Sequence, residues 1–70
     1  MRLSDYHVAQ FFSEDYPLVE GCINVLFYKD GEFVGGESFA KIIPCAFFMK
    51  AVRGYKQVLD ADEVRIKYYK

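Results

Sequence analysis

Apolar positions in the middle of the chain alternate on either side of one turn. The stretch EGCINVLFYKDGEFVGGESF places β-branched and aromatic residues around Asp30-Gly31, and Asp-Gly supplies the two left-handed residues of a tight type I′ turn. The pattern therefore predicts a hairpin. With the turn there, Lys29 faces Glu32, Tyr28 faces Phe33, Phe27 faces Val34 and Cys22 faces Phe39. One face then carries Ile23, Val25, Phe27 and Val34, and the other carries Cys22, Leu26, Tyr28, Phe33 and Phe39. A strand pair apolar on both faces needs cover on both. One cover is expected from a helix that follows the hairpin, the other from a helix that precedes it or from a second copy of the chain. Gly35-Gly36 offers no side chain to a partner strand and marks a bulge or a close backbone approach.

Before the hairpin, the segment Asp5 to Asp15 reads as a helix. Ser4 is placed to cap the first turn, Asp5 puts negative charge at the positive end, and Leu3 and Val8 stand at the positions of a hydrophobic staple. Val8, Phe11 and Phe12 recur at helical spacing, and Tyr16-Pro17 ends the run because the residue before proline is pushed out of the helical region. After the hairpin, Pro44 suits a first helical turn, so a second helix is expected from Pro44 to Arg53 with Gly54 as its left-handed cap. Ser38 is an alternative cap for a longer helix kinked at Pro44. Cys45, Phe48, Met49 and Val52 form the inward stripe of this helix, and Lys50 and Arg53 point outward.

The last segment, EVRIKYYK, alternates Val64, Ile66 and Tyr68 with Arg65, Lys67 and Tyr69, the pattern of a half-buried edge strand guarded by charge. Tyr55 to Leu59 reads as a further strand joined to it through Asp60-Ala61-Asp62-Glu63, or as an irregular connection. The expectation is a single α+β domain over residues 1–70, an antiparallel sheet of three to four strands with two helices in the order α-β-β-α-β(β).

Composition narrows the classes. A chain of 70 residues with 53% apolar residues, 7 Phe and 6 Tyr is too short for a self-contained dinucleotide-binding or barrel enzyme and too apolar for a disordered tail. Its two cysteines, Cys22 and Cys45, lack CxxC spacing and read as free thiols in a reducing compartment. No run approaches the ~20 apolar residues of a membrane span, and MRLSDYHVAQFF lacks the apolar core of a secretory signal, so a cytoplasmic location is expected. A domain this small buries only about 60% of the surface its unfolded chain exposes. Some apolar area should then remain for a partner to cover, most simply a second copy.

Candidate chemistry is sparse. Any zinc site or nucleophilic triad must pass through His7, the one histidine, and His7, Cys22 and Cys45 match ligand types without a ligand spacing. Both cysteines sit in apolar runs that raise rather than lower a thiol pKa. Asp60, Asp62 and Glu63 lack the spread and the glycine of a calcium loop, and Gly35-Gly36 lacks a phosphate-loop pattern. No catalytic residue, cofactor or metal is assigned.

Charge is more telling. Residues 1–39 hold two basic residues against seven acidic, a net −5, whereas residues 40–70 hold seven against three, a net +4. Lys50, Arg53, Arg65, Lys67, Tyr69 and Lys70 could form a basic, aromatic patch for single-stranded nucleic acid, although edge-strand protection accounts for the same residues. Tyrosine supplies apolar contact with a polar tip, which favours interfaces. The leading expectation is a small non-enzymatic protein that binds protein and self-associates as a homodimer. It would act as an inhibitor, adaptor or regulator, a role that small viral and mobile-element chains fill. Its interface would use Leu26, Tyr28, Phe33 and Phe39 of the hairpin with Tyr16, and a nucleic-acid-binding module is the alternative.

Overall fold

Four strands and one helix follow in the order β1 (His7–Phe11), β2 (Cys22–Lys29), β3 (Glu32–Ala40), α1 (Cys45–Val58) and β4 (Glu63–Tyr68). The structure, a computed structural model, describes residues 5–15 and 20–68. Asp30 and Gly31 take φ of 51° and 81°, as a type I′ turn requires, and Lys29 faces Glu32 and Tyr28 faces Phe33. The pairing then slips. Phe27 faces Gly35 rather than Val34, and Cys22 faces Ala40 rather than Phe39. Val34 is the extra residue of a bulge, and one inserted residue turns every later side chain of the strand to the opposite face. Phe39 therefore joins Ile23, Val25 and Phe27 beneath α1, instead of sharing the other face with Leu26, Tyr28 and Phe33.

The bulge stands directly before the glycine pair, and the glycines serve close packing. A Cβ on Gly35 would lie 3.0 Å from the Leu59 side chain. One on Gly36 would lie 2.2 Å from the Phe11 ring, which rests on the opposite face.

The segment expected to be the first helix is instead β1, an edge strand. It pairs antiparallel with β3, His7 facing Phe39 and Phe11 facing Gly36, with an irregularity at Val8. The local capping signals were worth about 1 kcal/mol each, too little to hold a short helix that costs a nucleus to form. Pairing with the exposed edge of β3 satisfies backbone groups and also brings Phe11 over Gly36 and His7 against Glu37. Of the expected helical stripe only Phe11 is buried, while Val8 and Phe12 are 49% and 74% exposed. Leu3 and Ser4 lie outside the described residues.

α1 begins after Pro44 but does not stop at Gly54. Its apolar stripe of Phe48, Val52, Tyr55 and Leu59 continues onto the core, and that packing outweighs the ~1 kcal/mol cost of an interior glycine. The left-handed cap is Asp60, φ 53°. Asp60 N donates to Gln57 O, and Ala61 N donates to Lys56 O, the paired bonds of a Schellman ending. Tyr55 to Val58 are thus helix, with Leu59 as the C-cap, and not a strand. The acidic turn that follows is tied to the hairpin, because the Asp62 carboxylate accepts the Asp30 N–H at 3.1 Å and Asp62 N donates to Tyr28 O.

The mixed α+β class therefore holds, with one helix where two were expected. The sheet order is β1-β3-β2-β4, all neighbours antiparallel. β1 and β2 consequently run parallel with β3 between them, and β3 and β4 run parallel with β2 between them. The crossover from β3 to β4 contains α1 and lies over one face. α1 covers the face of Val25, Phe27 and Phe39. On the other face, Glu14 accepts a hydrogen bond from the Tyr28 hydroxyl at 3.3 Å, and Phe11, Leu26 and Tyr28 are buried. There too Ser38 Oγ donates to Asn24 Oδ1 at 2.6 Å, both side chains fully buried. No described helix is long and apolar enough to cross a membrane.

Candidate protein interface

A helix about 10 Å wide cannot roof four strands spaced ~4.8 Å apart. α1 covers the central pair, β3 and β2, and leaves the outer strand β4 half-covered. Val64 is half-buried, whereas Ile66 and Tyr68, which also point to the helix side, are 47% and 68% exposed. The helix contributes Met49, 56% exposed, at the same margin. Between them lies a groove of about 340 Å³ lined by Phe48, Met49, Val52, Arg53, Lys56 and Ile66. Phe48 also walls a second hollow of about 240 Å³, with Ile23, Lys41, Ile43, Cys45 and Tyr68. The two form one apolar seam along α1 and β4, and its charged liners, Lys41, Arg53 and Lys56, are all cations.

The residues expected at an interface lie elsewhere. Leu26, Tyr28 and Phe39 are buried within the chain, at 3%, 5% and 0% exposure, and Phe33 is half-buried against Leu26 and Tyr28. Tyr16 lies outside the described residues. Both faces of the hairpin are covered by the chain itself, through α1 on one side and through Phe11 on the other, where Glu14 accepts the Tyr28 hydroxyl. Surplus apolar area does exist, on the α1–β4 margin instead.

The basic set expected for nucleic acid is dispersed. Arg65 and Lys67 project from the sheet face opposite α1, where the Arg65 guanidinium lies 4.4 Å from the Tyr28 ring centre and pairs with Glu63 at 2.6 Å. Arg53 lines the seam, and Lys50 lies in a separate depression with Tyr55 and Val58. Tyr69 and Lys70 lie outside the described residues.

His7, Cys22 and Cys45 do not converge. Among the described residues no three His, Cys, Asp or Glu side chains are placed to hold a metal, and both cysteines are free, Cys22 buried and Cys45 exposed. His7 meets a residue that the pattern alone did not single out. Glu37, 1% exposed in the middle of β3, holds His7 Nε2 at 2.7 Å, and the Tyr55 ring stacks on His7 at 6.1 Å. Its signal in the sequence was a carboxylate in the interior of a strand, flanked by Gly36 and Ser38. Burial raises the Tyr55 hydroxyl above its ordinary pKa of 10.0, and the Glu37 charge and a hydrogen bond to it add to the rise. Burial raises Tyr28 likewise, opposed by Arg65 and reinforced by Glu14. Histidine oriented by a carboxylate is half of a base-and-nucleophile relay; the hydroxyl of Ser38, next to Glu37 in the chain, faces the other side of the sheet, and the hydroxyl bonded to Glu37 is that of Tyr55. The cluster fastens β1 and α1 to β3.

The raised pKa values of Tyr55 and Tyr28 make the fold sensitive to alkali. A pKa raised on folding means that stability is fully present below the unfolded value of 10.0 and is lost as pH climbs through the folded one. Denaturant midpoints should be flat from pH 8 to 9.5 and fall above pH 10, with phenolate absorbance rising together with unfolding. Tyr55→Phe should make that fall shallower. A decline as steep as wild type in both Tyr55→Phe and Tyr28→Phe would assign it to other groups.

Comparison with family models, with curated proteins and with solved structures gave no significant match.

Proposed function

We propose that this chain works without catalysis, by binding another protein along the α1–β4 seam, as an inhibitor, adaptor or regulator of a larger target. One observation carries the reading. Met49, Ile66 and Tyr68 stand about half or more exposed around two adjoining hollows that share Phe48, and an apolar surface of this kind is worth most when a partner covers it.

The test is affinity capture from native cell extract with wild-type protein and with a Met49→Asp/Ile66→Asp variant as baits. Both substituted side chains are exposed, so the variant should keep its circular dichroism spectrum. A protein bound directly by wild type should be lost from the variant, with affinity reduced at least tenfold when the purified pair is measured. Equal binding by both baits would remove the seam as the interface, as would capture of nucleic acid alone.

A further inference from the structure

Resting on that binding surface, we infer that its occupant is an extended acidic segment of the partner, which adds to the outer edge of β4 as a fifth strand. The two edges of the sheet differ. β1 is broken by an irregularity at Val8, a feature that spoils further pairing. β4 pairs with β2 without a shift over six positions, from Tyr28 opposite Glu63 to Ile23 opposite Tyr68, and no described strand covers its outer side. Alternate residues of β4 therefore present N–H and C=O groups outward in regular register, the template that strand addition uses.

Charge selects the partner. A strand laid on this edge would turn alternate side chains toward the seam, beside Ile66 and Met49, and the others toward Lys67 and Arg65 on the opposite face, where Arg65 already pairs with Glu63. Lys41, Arg53 and Lys56 rim the seam itself. An alternation of apolar and acidic residues satisfies both sides. A second copy paired antiparallel about Ile66 would set Arg65 against Lys67 on both sides of the axis, which disfavours that register. A helix in the groove would leave the outward backbone groups of β4 unused.

The probe is the peptide acetyl-(Glu-Val)4-amide, with acetyl-(Lys-Val)4-amide as control, titrated into isotope-labelled full-length protein and followed by NMR. The acidic peptide should slow amide exchange at alternate β4 residues and shift the Ile66 and Met49 methyl signals. The Lys67→Glu/Arg53→Glu variant should bind it at least tenfold more weakly, and the lysine peptide should do neither. Equal binding of the two peptides overturns the charge selection. Shifts confined to α1, without protection in β4, overturn strand addition. β4 shifts that follow protein concentration without peptide assign the edge to a second copy and overturn the acidic partner. If a protein lost from the Met49→Asp/Ile66→Asp bait binds wild type while β4 stays unprotected in that complex, the seam stands and only the strand mode falls. If no protein depends on the seam, the seam reading fails independently of the peptide result.

Discussion

Alanine at position 36 is expected to cost about 3 kcal/mol, the upper end for forcing extra volume into a packed interior. A Cβ there would stand 2.2 Å from Cε2 and Cζ of Phe11. That ring is 2% exposed and has little room to retreat, since it stacks on Phe33 at 6.0 Å and belongs to the cluster with Leu26 and Tyr28. The alternatives are to expel the ring or to detach β1 from β3, and each surrenders a buried aromatic. For a chain of this length, whose whole stability is on the order of 4–10 kcal/mol, either is severe. Urea denaturation of Gly36→Ala, Phe11→Ala and the double variant separates the causes. Phe11→Ala alone should cost about 3–5 kcal/mol, and Gly36→Ala should then add much less than it does with the ring present. A Gly36→Ala cost that is the same in both backgrounds would mean that the glycine is required for its backbone and not for the ring above it.

The same pair of residues shows where the sequence was readable. Asp30-Gly31 announced the hairpin because a turn type is a local property of two residues, and Pro44 announced the start of α1 for the same reason. The end of α1 was hidden because Gly54 is a good cap locally, and only the continuation of the Tyr55 and Leu59 stripe onto a core formed from distant strands overrides it. β1 was hidden more deeply. His7–Phe11 carries helix signals that are genuine but small, and what defeats them is the open edge of β3 with Gly36 and Glu37 on it, some thirty residues away. The candidate site follows this division. Apolar surplus and positive charge in the C-terminal half were legible from the residues. Which apolar side chains stay outside depended on how many strands one helix can roof, a fact of topology. Leu26, Tyr28 and Phe39 look as suited to an interface as Met49, Ile66 and Tyr68 until the cover over each sheet face is known.

The bulge at Val34 makes the second large prediction, because it decides which face receives Phe39. Phe39 is wholly buried, with the rings of His7, Phe48 and Tyr55 around it at 5.4, 5.9 and 6.4 Å. Phe39→Ala should cost about 3–5 kcal/mol, enough to leave much of the protein unfolded at 37 °C. Phe33, half-buried on the other face, should cost about half as much. Unbroken alternation from the turn would instead put the two side chains on one face and make their costs alike. Deleting Val34 is the sharper test. Pairing would then run regularly from Tyr28–Phe33 to Phe27–Gly35 and onward, so Glu37 and Phe39 would keep the partners and the face they have now. The core beneath the helix would keep its central ring and Glu37 would keep His7, and only the packing of Val34 against that core would be lost. A cooperative thermal transition and near-ultraviolet dichroism are therefore expected to survive that deletion. A deletion variant with neither would show that Val34 belongs to the regular pairing, and that the strand carries no extra residue at this point.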